Sequence, residues 1–340
     1  MTDTSTTNTG LTNPNALSLS VVIPTLGDAS RLQDLHELAA ELRRVKKSLW
    51  QDEQRQVEIL IVANLPHEEL RRRYGHDPDF VYLEVGKLGA NRARNKGLHK
   101  AQNDIVWFLD DDTKLLGTDT VHRLLQAHQR FPEAIALGGP YQIDEAHATK
   151  WEKVYDSIAR QWIERNRLQP PYTRQLLGGN LSLKRSQLRD EFDEGIHFGG
   201  SEAGLCARLH LSQQKLVWIE DLKVGHRPQV SLFSFIRKAY LQGAGAKWLQ
   251  KSLPESRTQH WRSVQNESPH WLYALFFQYG YWQDAYSQAP NSPPRTPWLS
   301  FAYWLLKSWL PQIWKFPRRR MRELYVMLKT LAQARRPAGQ

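Results

Sequence analysis

One cysteine, Cys206, is all that 340 residues contain. An intrachain disulfide and a cysteine-built zinc cluster are therefore excluded, and the composition fits a reducing compartment, the cytoplasm. No apolar run reaches the roughly 18 uninterrupted residues that a membrane-spanning helix needs, so no span is predicted. Glycines are missing where a dinucleotide fold would place them. The first apolar strand, Leu19 to Ile23, runs into Pro24-Thr25-Leu26-Gly27 rather than Gly-x-Gly-x-x-Gly. That argues against a dehydrogenase. The same four residues make a poor Gly-rich, basic loop for a triphosphate, which argues against a nucleotidyltransferase. Residues 1–17 carry almost no large apolar side chain and lack the basic-then-apolar layout of a signal peptide. Their Thr, Asn and Ser content predicts disorder. No internal repeat is visible.

What is present in excess is positive charge. Forty-six Lys and Arg against 35 Asp and Glu give a net +11. Such a balance suggests an anionic partner: a phosphorylated substrate, an anionic membrane or nucleic acid. No nucleic-acid-binding motif accompanies the charge, so nucleic acid is the weakest of the three. The 41% hydrophobic content allows a sizeable core.

Apolar runs alternate with helical spacing along the first two thirds of the chain. Strands are predicted at 19–23, 57–62, 80–84, 105–109, 134–137, 181–183 and 215–219. Helices are predicted at 31–47, 68–74, 89–102, 119–130, 150–167 and 203–211. Pro24-Thr25 is expected to end the first strand, because proline cannot continue a central one. This order implies an α/β domain over 18–250 with a mostly parallel sheet flanked by helices, since parallel neighbours need crossovers. From 251 to 340 strand signals vanish. A helical C-terminal extension is expected there, rich in aromatics and ending in the basic run Arg318-Arg319-Arg320 and Arg322.

The chain is organised around Ile105 to Leu109 and the three carboxylates behind it, Asp110, Asp111 and Asp112. In an open α/β sheet ligands bind at the carboxyl ends of strands. Adjacent carboxylates repel, so a cluster there calls for a compensating cation. Oxygen ligands of this type suit Mg²⁺ or Mn²⁺, often shared with substrate phosphates. A solvated acidic turn is the ordinary alternative.

Four patterns in this order resemble glycosyltransferase family 2, of GT-A fold, over about Ser18 to Leu249. They are Leu19-Ser-Val-Val-Ile-Pro-Thr25, Gly89-Ala-Asn-Arg-Ala-Arg-Asn-Lys-Gly97, Phe108-Leu-Asp-Asp-Asp112, and Phe192-Asp-Glu194 followed by Gly200-Ser-Glu202 and Arg208. The resemblance implies a metal-dependent, inverting transfer of one sugar from a nucleotide-diphospho-sugar to a hydroxyl acceptor, a lipid or a surface glycan. It implies donor contacts from Pro24, Thr25, Asn64, Arg94, Asp110 and Asp111. Asp112, Asp110 and His226 would hold Mn²⁺ or Mg²⁺. Glu202 would be the general base, with Asp193 and Glu194 behind it. Gly178, Gly179 and Asn180 would line the acceptor side. Asp111 fills the variable middle of Asp-x-Asp and is expected to be a solvated neighbour. Arg94 is suited to a bidentate phosphate contact.

The sequence departs from the family's pattern at Asn64, where an Asp is usual, and at Ser201-Glu202, where Glu-Asp is usual. No Gln-x-x-Arg-Trp segment of the processive synthases is present, which favours single-sugar transfer. A non-catalytic nucleotide-sugar-binding protein of the same fold stays open as an alternative, as does a nucleotidyltransferase. Trp162 and Tyr172 are expected in the core rather than on an acceptor sugar. The C-terminal aromatic and basic region reads two ways. Either it lies at a membrane interface, at the inner face, with Trp and Tyr at headgroup level and arginines on anionic lipid, or it is a helical cap on the catalytic domain.

Overall fold

The computed structural model describes residues 17–53, 55–196, 201–253 and 270–283. Its centre is formed by the apolar, β-branched runs. β1 (Leu19–Thr25), β4 (Ile105–Leu109) and β6 (Ala134–Gly138) are buried at every position. Strands buried on both faces need helices on both sides, and the alternating sequence supplies them. β1 pairs in parallel with β2 (Val57–Ala63) and β4, and β2 pairs in parallel with β3 (Val81–Glu84). The crossovers are α1 (Leu32–Glu53), the short α2 (Glu68–Tyr74) and α3 (Ala90–Lys100).

Beyond β4 the sheet is mixed. β9 (Asn180–Lys184) inserts antiparallel between β4 and β6. β10 (Lys215–Trp218) then pairs in parallel with β6 and antiparallel with the two-residue β8 (Tyr172–Thr173). A second, three-stranded sheet joins β5 (Thr113–Leu115), β11 (Val224–His226) and β7 (Tyr141–Gln142). These short strands carry too few residues for a period-two signal, and sequence reading misses β5, β7, β8 and β11.

β1 does not end before Pro24. It continues to Thr25, pairing with β2 as far as Ala63. On its other side the ladder with β4 stops at Val22 and Phe108. Pro24 therefore lies past the point where its missing N–H would have been needed.

The remaining helices are α4 (Thr120–Arg130), α5 (Lys150–Arg165), α6 (Ser201–Leu211), α7 (Leu232–Ser252) and α8 (Trp271–Gln283). A capping box fixes the start of α5: the Thr149 hydroxyl accepts from the Glu152 amide, and the Glu152 carboxylate accepts from the Thr149 amide. Ser231 and Ser234 form the same reciprocal arrangement at α7. Sequence reading overlooks α7, because its buried face is built from Ala and Gly as well as Phe and Leu, which leaves no clean apolar stripe.

The C-terminal aromatics from 271 to 283 act as a cap. Tyr273, Phe276, Phe277 and Tyr279 are buried, and Tyr273 and Phe277 meet Trp162 of α5 edge-on. Such edge contacts contribute about 0.5–1.5 kcal/mol each beyond the area they bury. Trp261 and the tail from 284 onward lie outside the described residues, so the membrane reading now concerns that tail. Among the described residues no helix is long and apolar enough to cross a membrane.

One buried histidine ties α4 to the inserted strand. Nε2 of His128 lies 2.9 Å from the Ser182 hydroxyl, which itself donates to the Leu137 carbonyl. The hydroxyl must therefore accept from His128, which assigns the proton to Nε2 and leaves Nδ1 buried without a partner. Burial, with the Lys184 charge adding, pushes the imidazole down to about 3. The unfolded chain binds this proton near pH 6.5 and the folded chain does not. Stability from His128 is thus fully present above pH 6.5 and is lost as pH falls toward 3, by up to several kcal/mol. Chemical denaturation from pH 7 to pH 4 should show a steeper loss in the wild type than in His128→Gln. Parallel pH profiles would contradict the assignment.

Candidate active site

The site forms where β1 and β4 end and the antiparallel β9 begins. β4 delivers Asp110, Asp111 and Asp112 just past its last buried residue. The antiparallel register that pairs Leu109 with Asn180 sets Gly179 opposite Asp110. A Cβ on Gly179 would stand 2.2 Å from Asp110 Oδ2, and one on Gly178 would stand 3.0 Å from Glu202 Oε2. The two glycines form a thin wall between two carboxylates, and only glycine permits that approach.

Asp110 receives the Arg94 guanidinium at 2.8 Å on Oδ1 and the Tyr141 hydroxyl at 3.4 Å on Oδ2. Burial would raise its pKa, but Arg94, His226 and Arg31 outweigh it and hold Asp110 below the usual carboxylate range. Arg94 itself is delivered by α3. Gly97 lets this helix lie against β1, since a Cβ there would stand 2.3 Å from Val22 Cγ1. Asn91 and Asn95, one turn apart, tie the helix to the carbonyls of Asp193 and Phe192. The Ala-Asn-Arg-Ala-Arg-Asn-Lys-Gly segment is thus a device for placing one arginine. The amide pair at four-residue spacing was the available signal for its anchoring.

Asp111 is not a solvated neighbour. It is 6% exposed, takes the Thr25 hydroxyl at 2.7 Å on Oδ2, and takes Arg31 at 3.1 Å on Oδ1. The same Arg31 nitrogen lies 2.7 Å from Asp112 Oδ2. Burial first, then the neighbouring Asp112 charge, pushes Asp111 up to about 6. Burial likewise pushes Asp112 up to about 6, with Asp110 adding to it against the pull of Arg31. One shared guanidinium nitrogen does not compensate two carboxylates. Sequence reasoning overlooks Arg31, which stands alone before α1 with no motif around it.

The small sheet completes the cluster. β11 pairs antiparallel with β5, His226 opposite Thr113, and the Arg227 amide donates to the Asp112 carbonyl. This sets His226 Nε2 3.5 Å from Asp112 Oδ1, with the imidazole stacked on Tyr141 at 4.2 Å. Burial holds His226 down at about 4, so the ring is neutral at pH 7. Asp112 Oδ1 is buried and accepts no hydrogen bond. One ligand atom each from Asp110, Asp112 and His226 lie within 4.8 Å of one another. Two carboxylates and a neutral imidazole, with one oxygen otherwise unused, fit a divalent cation such as Mn²⁺.

Two clefts open on this cluster. Pro24, Thr25, Asn64 and Asp111 line one; Asp112, Gly178, Gly179, Glu202 and His226 line the other. Arg31, Arg94, Asp110, Tyr155, Lys238 and Gln242 line both. Lys238 of α7 lies 5.0 Å from the Tyr155 ring centre, and burial lowers its pKa. Lys238, Gln242, Tyr141 and Tyr155 carry no sequence motif and were not foreseen.

Other expected site residues do different work. Asn64 donates through Nδ2 to the carbonyls of Gly89 at 2.8 Å and Lys87 at 3.3 Å, so its amide nitrogen holds the loop before α3 rather than facing a ligand. Asn180 is fully buried behind the glycine wall; it accepts from Trp107 Nε1 and donates to the Leu222 carbonyl. Asp193 accepts from Trp248 Nε1 and the Gly195 amide, and Glu194 accepts from Asn95. Neither lines the clefts. Tyr172 pairs with Glu133 and Lys215 on the sheet edge, away from both clefts. Trp162 packs on α8 and also reaches the cleft wall beside Glu202.

A mixed sheet flanked by helices, with an acidic strand end under two clefts, is the GT-A type of transferase fold. The family model for glycosyl transferase family 2 matches residues 20–190, half of the chain, and the chain belongs to that family. A solved structure of the same type supports the fold. The mannosyltransferase PcManGT from Pyrobaculum calidifontis, in complex with GDP-Man and Mn2+, is 16% identical over 94% of this chain and 81% of its own, with a TM-score of 0.53. Residues 1–349 of S. aureus TarS are 12% identical over 87% of this chain and 77% of theirs, with a TM-score of 0.49. Comparison with curated proteins finds no match.

The glycine wall is directly testable. Gly179→Ala pushes a methyl into a carboxylate pinned by Arg94 and should cost about 1–3 kcal/mol of stability together with most of the activity. Gly178→Ala meets the far ends of Glu202 at 3.0 Å and Arg94 at 3.2 Å, a looser approach, and should cost less. Melting curves and turnover for both variants check this, and equal losses would contradict the geometry.

Proposed function

We propose that the protein transfers one sugar from a nucleotide-diphospho-sugar to a hydroxyl of a glycan or lipid-linked acceptor, with inversion at the anomeric carbon and dependence on Mn²⁺ or Mg²⁺. The observation that carries this reading is the meeting of two clefts over one ion pair, Asp110 with Arg94, with Glu202 in only one of them. A donor on the β1 side and an acceptor on the Glu202 side would bring their reacting atoms together there. The mannosyltransferase of the same fold is described with GDP-Man and Mn2+, which supports this donor class and a divalent cation.

Asp110, Asp112 and His226 would hold the cation, which supplies Lewis-acid neutralisation of diphosphate charge. The other roles belong to the chain. Glu202 lies in the first turn of α6, where the helix N-terminus favours the ionised carboxylate. It takes the proton of the acceptor hydroxyl as that oxygen bonds to the anomeric carbon. The bond from that carbon to the diphosphate oxygen breaks on the opposite face, and its electron pair leaves with the nucleoside diphosphate. Lys238 and Arg31, which line both clefts, are placed to meet the charge that departs.

Glu202→Gln should lower kcat by about 10²–10⁴-fold while leaving donor affinity, read by calorimetry, within about twofold of the wild type. Unchanged turnover would move the base elsewhere. Turnover that ignores chelation of divalent cations would remove the metal from the mechanism, and binding without turnover over a wide acceptor set would favour a non-catalytic binding protein.

For the tail beyond the described residues, contact with an anionic membrane surface is our reading of Trp298 to Trp314 followed by Arg318-Arg319-Arg320 and Arg322. Deletion of residues 297–340 should abolish co-sedimentation with phosphatidylserine vesicles. Equal sedimentation before and after the deletion would sink that reading.

A further inference from the structure

Arg31 occupies an unexpected place. Its Nη1 lies 3.1 Å from Asp111 Oδ1 and 2.7 Å from Asp112 Oδ2, so it bridges two of the three strand-end carboxylates. Asp110 has a separate cation, Arg94, at 2.8 Å. Asp112 is thus divided between two demands. Oδ2 is held by Arg31, while Oδ1 faces His226 and accepts no hydrogen bond. A divalent ion arriving alone at Asp110, Asp112 and His226 would sit beside this guanidinium, and like charges a few ångströms apart repel strongly where water is scarce.

From this geometry we infer that Arg31 is a counter-ion that makes metal binding depend on the donor. The inference rests on the metal and donor reading above. Arg31 bridges Asp111 and Asp112 and offsets part of their charge before the donor arrives, and so opposes the ion. It also lines both clefts, with its side chain 25% exposed, so a diphosphate entering beside Thr25 gives the guanidinium a new anionic partner within reach. A planar guanidinium with five donors can keep one contact to Asp111 while turning others to phosphate oxygens. Asp112 Oδ2 is then released to the ion. Ion and diphosphate become mutually supporting ligands, and by linkage each tightens the other by the same factor.

The sequence shows why Arg31 suits this work. Gly27, with φ +73, and the turn from Asp28 to Arg31 bring the chain sharply from β1 into α1. Arg31 therefore starts at the edge of the donor cleft rather than deep in the cluster. Lys238 cannot replace it. Its ammonium lies over Tyr155, and no ion pair of Lys238 with Asp111 or Asp112 falls within the bonding distances seen for Arg31.

Mn²⁺ binding can be followed by electron paramagnetic resonance of free Mn²⁺, without any turnover, in the wild type, Arg31→Gln and Arg31→Lys. Melting curves report whether each variant folds. In the wild type, saturating GDP or UDP should tighten Mn²⁺ binding about 10-fold or more. In Arg31→Gln, Mn²⁺ alone should bind at least about 5-fold tighter than in the wild type, and the gain from nucleoside diphosphate should shrink to about 3-fold or less. Arg31→Lys keeps the charge but not the bridge and should fall between the two; it also serves if the Gln variant does not fold. Mn²⁺ affinity unchanged or weakened in Arg31→Gln, with the nucleotide effect intact, overturns the role of Arg31 alone. Mn²⁺ binding that survives Asp112→Asn, or is undetectable in every variant with nucleotide present, overturns the metal site and this inference with it.

Discussion

The interaction on which the rest depends is the compensation of three carboxylates at one buried strand end. β4 carries Asp110, Asp111 and Asp112 into the sheet's carboxyl edge, where each isolated charge would be costly. The surrounding elements supply cations and donors one by one. α3 brings Arg94, the turn before α1 brings Arg31, β1 brings the Thr25 hydroxyl, and β7 brings Tyr141. Buried pairs of this kind are weak evidence of stability, because desolvation offsets much of their attraction. They are better understood as a means of holding charged oxygens in fixed positions for something else. Asp112 Oδ1, buried and accepting no hydrogen bond, is where that something else has room.

Topology explains how the two clefts come to share a wall. An all-parallel sheet would bring only strand carboxyl ends to this edge. The antiparallel β9 instead brings its start, so the Gly178-Gly179 turn faces the β4 end. That reversal places backbone without side chains between Asp110 and Glu202, and lets α6 approach from the other side. α7 then roofs the junction with Lys238 and Gln242, and α8 holds α5 and α7 from behind through Tyr273 and Phe277. Aromatics that look suited to a headgroup region when read alone are here consumed by a cap.

Legibility followed the length of the signal. The long buried strands β1, β2 and β4 and the amphipathic α1 were readable from periodicity, and the acidic triplet from its position after β4. The two- and three-residue strands were not, although one of them puts His226 beside Asp112. α7 was invisible because small residues replace an apolar stripe on its buried face. Two asparagines show how a side chain's partners escape a sequence reading. Asn64 and Asn180 stand at positions that face a ligand by family pattern, but an amide can serve a neighbouring carbonyl equally well, and here both do. Arg31 and Asp111 were misjudged for the opposite reason: nothing in their local sequence reveals a partner some eighty residues away.

The boundary of the family match divides the site in an instructive way. Residues 20–190 include Thr25, Arg94, Asp110 to Asp112, Gly178 and Gly179, which line the acidic cluster and the glycine wall. Glu202, His226, Lys238 and Gln242 lie beyond it, on α6, β11 and α7. Their proposed roles are supported by geometry within this chain: proximity to Asp112 for His226, the glycine wall for Glu202, the shared lining of both clefts for Lys238. A general base need not be placed by a motif if the fold can bring any carboxylate on a helix N-terminus to the far side of that wall. Under the proposed role of Glu202 as base, this explains how Ser201-Glu202 can stand where Glu-Asp is usual. The extra methylene of Glu is accommodated because no side chain at Gly178 limits its reach.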